Sequence, residues 1–187
     1  MPGILALVVG PSGAGKDSLI RHACAELKGD PFYLFVRRTI TRAVKDEFED
    51  HEAVSPAEFG IRRDTGQFCL WWDAHGLSYG LPRTAQRHIR NGGCAIANVS
   101  RAMIDEARRK FRVVQVINVT APIELLAARL AGRGREQEAD IRTRLMRAGH
   151  RVPEGRDVLT IVNDGTLDVG VARMVAGLKS LKATVRA

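Results

Sequence analysis

A glycine-rich run near the start of the chain, Gly10-Pro11-Ser12-Gly13-Ala14-Gly15-Lys16-Asp17-Ser18, limits the available folds more than any other feature. It fits G-x-x-x-x-G-K and directly follows the apolar residues 4–9, which read as a parallel strand buried on both faces. A helix is expected after it, over residues 17–28. Strand, glycine loop and helix in that order form the setting in which such a loop binds phosphate. Glycines let backbone N–H groups turn inward around phosphate oxygens, and the helix directs its positive dipole end at the same anion. Gly10, Pro11, Ser12, Gly13, Ala14, Gly15, Lys16, Asp17 and Ser18 are therefore the candidate ATP phosphate-binding residues. Lys16 is placed to reach the β- and γ-phosphates.

The rest of the chain repeats the same alternation. Strands are expected at residues 32–38, 94–99, 113–119 and 158–162. Helices are expected at 101–110, from Pro122 to about 131, at 136–148 and at 167–179. Pro122 suits the first position of its helix, where a missing N–H costs nothing. Strands alternating with helices predict an α/β fold, a parallel sheet flanked by helices of the phosphate-loop nucleotide-hydrolase type. With 187 residues the chain reads as a single domain. Its core is expected from residues 1–38 and 84–187. The segment 39–83 breaks the rhythm and reads as an inserted acceptor-binding subdomain.

Composition narrows the class further. The net charge is +8, and of 29 basic residues 23 are arginine. Arginine forks bind phosphate bidentately, which suits polyanionic ligands, although a base-composition bias toward arginine would produce the same count. Six Phe, two Tyr and two Trp, with no RNP-like or helix-turn-helix signature, argue against a nucleic-acid partner. Cys24, Cys69 and Cys94 lack the spacing of a disulfide framework or zinc site. The apolar opening run is too short to span a bilayer and lacks a signal-peptide pattern, so no membrane partner and a cytoplasmic location are expected.

Several further motifs follow the loop in a fixed order. These are Thr39-Ile40-Thr41-Arg42, Gly66-Gln67-Phe68, His75-Gly76-Leu77-Ser78-Tyr79-Gly80, Arg129-Leu130-Ala131-Gly132-Arg133-Gly134-Arg135, Ile141-Arg142-Thr143-Arg144-Leu145 and Asn163-Asp164-Gly165. In this order they resemble the guanylate kinase family over nearly the whole chain. The resemblance implies a phosphotransferase using ATP and Mg²⁺, with an arginine-bearing lid at about residues 132–148. It implies catalytic roles for Lys16, Arg133 and Arg144. It also implies that Arg42, Lys45 and Tyr79 hold the acceptor's phosphate, while Arg142 and Arg147 read as solvated.

Three departures bear on the acceptor. The family reads guanine with a Glu two residues after Gly-x-Phe; here that position is Leu70. The strand that should end in Asp carries Asn98 and Ser100, and an expected Tyr near Glu49-Asp50 is His51. Leucine cannot accept from the guanine N1 and N2 donors, so they would be left unpaired. These departures resemble those of a branch that phosphorylates a sugar phosphate, ribose 1,5-bisphosphate, during phosphonate degradation. That resemblance implies ATP and a phosphorylated sugar as substrates, with His51, His75 and Arg101 as further acceptor-binding candidates. His75 reads equally as a local turn residue, and Asn163-Asp164 as either a turn or a wall near the adenine. Asp17 stands where a Ser or Thr hydroxyl holds magnesium, with Ser18 one position later. Asp17 and Ser18 are the candidate metal ligands; favouring the helix start is the other reading of Asp17. A guanylate kinase with relaxed base recognition and an inactive binding module remain the competing functions.

Overall fold

The computed structural model describes residues 2–42, 50–132 and 152–186. The helix expected at 136–148 and nearly all of the expected lid lie outside the described residues. The opening strand β1 (Ile4–Val9) leads through the glycine loop into helix α1 (Lys16–Glu26), and then to strand β2 (Tyr33–Phe35). Strands β3 (Arg38–Ile40) and β4 (His51–Ala53), helix α2 (Pro56–Asp64), and strands β5 (Phe68–Ala74) and β6 (Leu77–Pro82) follow. Helix α3 (Arg83–Arg90) returns the chain to strand β7 (Cys94–Asn98). A 3₁₀ turn (Arg101–Met103), helix α4 (Ile104–Lys110), strand β8 (Val114–Thr120) and helix α5 (Ile123–Ala131) come next. Strand β9 (Val158–Val162) and helix α6 (Leu167–Arg186) complete the described elements.

Among the described residues the main sheet has the order β2-β7-β1-β8-β9, and every pairing in it is parallel. The continuous apolar run of β1 follows from its central place. Ile4, Ala6 and Val8 face one core cluster, with Leu19, Leu126, Met174 and Leu178. Leu5, Leu7 and Val9 face the other, with Leu70, Leu81, Ile89 and Ile104. Each fully buried leucine removes enough apolar surface from water to contribute about 2 kcal/mol. Both faces of the sheet are thus covered, as a purely parallel sheet requires.

The second sheet, β4-β3-β6-β5, is built entirely from residues 38–82. Its pairings are mixed: β3 runs parallel to β4 and antiparallel to β6. Leu70 and Leu81 of this sheet sit in the same cluster as Leu5 and Leu7, so the small sheet is anchored onto one face of the main core. Helix α2 closes its far side. Ser55 caps that helix by accepting from the Glu58 amide at 3.1 Å, and Pro56 occupies its first turn.

Several expected boundaries shift in the structure, three of them for a visible physical reason. The run 32–38, read as one strand, is split between the two sheets. Tyr33–Phe35 pairs with β7 and the Val36 amide still donates to Ile96, but Arg38 pairs with His51. Pro122 precedes its helix as the N-cap residue, with extended ψ, instead of opening it. Helix α6 continues to Arg186, because Leu181 still packs into the core and Lys182 pairs with Asp30.

Candidate active site

The glycine loop lies between β1 and α1 at the carboxyl end of the parallel strands, where open α/β sheets place their ligands. Two of its glycines show why other residues cannot serve. Gly10 has φ +145° and Gly15 φ +89°, left-handed values that favour glycine. A Cβ on Gly15 would stand 2.6 Å from the Asn163 side-chain nitrogen. Lys16 Nζ donates to the Gly10 and Pro11 carbonyls at 2.9 Å each, which holds its ammonium over the loop.

Residues distant in sequence brace the loop. Asn163, buried just after β9, donates through Nδ2 to the Ala14 carbonyl at 2.9 Å. Its backbone carbonyl accepts from Arg129 Nη2 at 3.1 Å, and Arg129 Nη1 lies 3.5 Å from the Gly13 carbonyl. Asn163 therefore supports the phosphate loop directly. Its exposed neighbour Asp164 pairs with Arg173 at 3.0 Å, and that guanidinium holds the carboxyl below its ordinary range. Neither Arg129 nor Asn163 has this role in its local sequence, since the contacts join segments more than 30 residues apart.

Asp17 opens α1 on the cleft side of the loop. Its Oδ1 accepts from Asn98 Nδ2 at 2.6 Å, so the strand end lacking the usual carboxylate holds the loop's carboxylate by an amide instead. Among the described residues no group of three or more His, Cys, Asp or Glu side chains is placed to hold a metal ion. One oriented carboxylate with the neighbouring Ser18 hydroxyl nevertheless fits Mg²⁺, which takes one or two carboxylates and leaves its other positions to phosphates and water.

The small sheet supplies the opposite wall. Arg38 and His51 pair in register and are both buried, while Ile40 pairs with Tyr79. The Arg38 guanidinium lies 5.4 Å from the Tyr79 ring centroid, and Tyr79 stacks on Trp72 at 5.3 Å with an interplanar angle of 7°. Thr41 is locked to Ser78 by two hydrogen bonds, its amide donating at 3.0 Å and its hydroxyl accepting at 2.8 Å, which fixes the backbone just before Arg42. Behind this wall Glu52 accepts from Thr39 at 2.9 Å and pairs with Arg62 at 2.9 Å. Burial works against its charge, but these donors together hold its carboxyl below the ordinary range. Leu70 is fully buried within the apolar cluster.

The remaining candidates divide. Arg101 is half-buried at the 3₁₀ turn that follows β7 and Ser100. His75 is exposed and forms, with Gly76, the two-residue turn between β5 and β6. Both have positive φ, 52° and 73°, as a type I′ hairpin turn demands. Lys45, Arg133 and Arg144 lie outside the described residues. Arg38, which the sequence motifs did not single out, joins the site from the first position of β3.

This arrangement is that of a phosphate-loop phosphotransferase. The fold is shared with guanylate kinase from Anaplasma phagocytophilum, at a TM-score of 0.63 and 19% identity over 96% of this chain and 86% of that one. Ribose 1,5-bisphosphate phosphokinase PhnN of Methylobacterium radiotolerans is 46% identical over 180 residues, 96% of this chain and 99% of its own length. The protein of the same description from Agrobacterium fabrum is 43% identical over 164 residues, 88% of this chain and 90% of that one. No family model matches the sequence. The chain belongs to the ribose 1,5-bisphosphate phosphokinase family.

Proposed function

We propose that the protein transfers the γ-phosphoryl group of ATP to the 1-phosphate of ribose 1,5-bisphosphate, giving 5-phospho-α-D-ribosyl 1-diphosphate and ADP. The observation that carries this reading is Leu70. The position that would read guanine is a leucine sealed in the core, and β7 ends in Asn98 instead of a carboxylate. The acceptor is thus a phosphate compound without a base, in keeping with the names of the relatives.

In the transfer, an oxygen of the acceptor's 1-phosphate attacks the γ-phosphorus. The bond from that phosphorus to the β–γ bridging oxygen breaks, and ADP leaves with the bonding pair. The attacking oxygen is already ionised at neutral pH, so no general base is assigned. Loop amides and Lys16 hold the donor phosphates. Arg42 and Tyr79, with Lys45, hold the acceptor phosphate, and His51 and Arg101 stand at its margin. Arg133 and Arg144 neutralise charge on the group in transit. Catalysis of this kind consists of positioning and of charge met by fixed donors. Asp17 and Ser18 would hold Mg²⁺, which neutralises phosphate charge when bound. The three cysteines form no disulfide, and no described helix is long and apolar enough to cross a membrane. We assign the enzyme to the cytoplasm and to the phosphonate-degradation route.

The test is a coupled ADP-release assay with Mg-ATP, comparing ribose 1,5-bisphosphate with GMP. Turnover of the sugar bisphosphate, with the 1-diphosphate detected, is the expected result. Turnover of GMP alone would overturn it. A second prediction concerns the metal: Asp17→Asn is expected to raise the magnesium concentration for half-maximal rate about tenfold, since one charged ligand is lost. An unchanged magnesium titration and unchanged turnover would return Asp17 to a helix-start role.

A further inference from the structure

Arg38 is a buried cation, 8% exposed, on the wall between the two sheets. Burying a guanidinium is costly unless its surroundings orient and compensate it. Among the described residues, two contacts help to orient this one. Nη1 donates to the Asn98 carbonyl at 2.9 Å, and the guanidinium carbon lies over the Tyr79 ring, 5.4 Å from its centroid. Asn98 therefore works in two directions, its carbonyl fixing Arg38 and its amide fixing Asp17.

Arg38 also lines a cavity of about 190 Å³ that runs from Asp17 along α1 past Arg21 to Cys24. Seven residues of helix separate its ends, about 10 Å at 1.5 Å per residue. The cavity thus extends away from the phosphate loop, on the far side of Asp17 from Lys16. Arg37 forms part of its rim and is paired with Asp50 at 2.8 Å, while Arg21 is exposed beside it. Of the carboxylates that face it, Asp17 is held by Asn98 at one end and Asp50 by Arg37 at the rim. Arg38 is the buried basic residue of the inner wall.

The geometry points to Arg38 as the residue that binds the acceptor's second, non-reacting phosphate and so determines specificity for a sugar bisphosphate. This rests on the proposed function. A ribose bisphosphate carries its reacting phosphate to the loop and must place the other several ångströms away, where a nucleotide would carry its base. An arginine fork steadied by a backbone carbonyl and an aromatic ring is preorganised for that group. The same cation, beside the apolar Phe35, Val36 and Ile96 of the cavity wall, offers a neutral purine nothing to pair with its donors.

The test is calorimetric binding of two monophosphates to the full-length protein, wild type and Arg38→Gln. Ribose 5-phosphate keeps only the phosphate assigned to Arg38, and ribose 1-phosphate keeps only the reacting one. In the variant the Kd of ribose 5-phosphate is expected to rise about 30-fold, the loss of a charge-assisted phosphate contact, with that of ribose 1-phosphate unchanged within twofold. Equal weakening of both ligands, or of neither, overturns the assignment. Should Arg38→Gln fail to fold, Arg38→Lys keeps the charge and loses the fork. A shift confined to ribose 5-phosphate then supports the assignment and an unselective one overturns it. Because binding is read without turnover, the two readings fail separately. Wild type inactive on the bisphosphate refutes the proposed reaction, whereas active wild type with an unselective Arg38 variant refutes only this inference.

Discussion

Lys16→Ala is expected to lower turnover about a thousandfold, in the range for removing one preorganised cation or donor from a phosphoryl- or acyl-transfer site. The ammonium is held at the loop mouth by two carbonyls, Gly10 and Pro11, at equal distance. A compact cation on a flexible stem can move from those oxygens to a phosphate oxygen without disturbing the loop. Its loss leaves the loop's amides and the start of α1 in place, so ATP affinity should fall far less than kcat. Stability should change by no more than about 3 kcal/mol, twice the low-end net worth of a hydrogen bond to a charged donor. Steady-state ADP release, ATP titration and thermal melting of the same preparation separate the three quantities. Lys16→Arg is the informative companion, since a planar fork cannot take the place of a point charge between two carbonyls 2.9 Å away. A kcat within tenfold of wild type for Lys16→Ala would remove Lys16 from the catalytic group.

What could be read from the sequence followed the kind of interaction involved. Strands β1 and β7 were legible because a strand buried on both faces is apolar nearly throughout, β8 and β9 from their short Val- and Ile-rich runs, and α1 because the glycine loop announces a helix. The split between β2 and β3 was not. Phe32 to Arg38 is continuous in composition, and only the competition between Cys94–Asn98 and His51 for its backbone groups breaks it. The capped start of α2, with Ser55, Pro56 and Glu58, carries a helix-start signature, and among the described residues α2 is the one helix of the small subdomain. Among the site residues, those in the loop were visible because consecutive residues make the phosphate cradle. Asn163 and Arg129 stand in motifs of the sequence, but their bracing of the loop is made across the fold and is not written in those motifs. Arg38 lies four residues before Arg42, and its adjacent partner Arg37 gives the pair the look of a solvated strand end. Its burial depends on Tyr79 and Asn98, 41 and 60 residues further along the chain.

Gly10→Ala should be the most damaging single-methyl change in the phosphate loop. Two costs add at this position. Backbone at φ +145° is a region that residues with a side chain rarely occupy, worth about 1–3 kcal/mol by itself. The new Cβ would also stand 2.0 Å from the Val119 carbonyl oxygen. That oxygen cannot withdraw easily, because β8 is paired on one side with β1 and on the other with β9. Gly29→Ala isolates the first cost: its φ is +89°, yet nothing lies within 4 Å of the added carbon. Gly10→Ala is therefore expected to lose about 3 kcal/mol or more, near 10 °C in Tm for a chain of this size, and at least about 2 kcal/mol more than Gly29→Ala. ATP binding should weaken in the first variant and be unchanged in the second. Denaturant melts and nucleotide titrations of the two proteins, side by side, decide it. Equal destabilisation would mean that the loop shifts to admit the methyl group, and that the contact with Val119 does not fix the shape of the phosphate cradle.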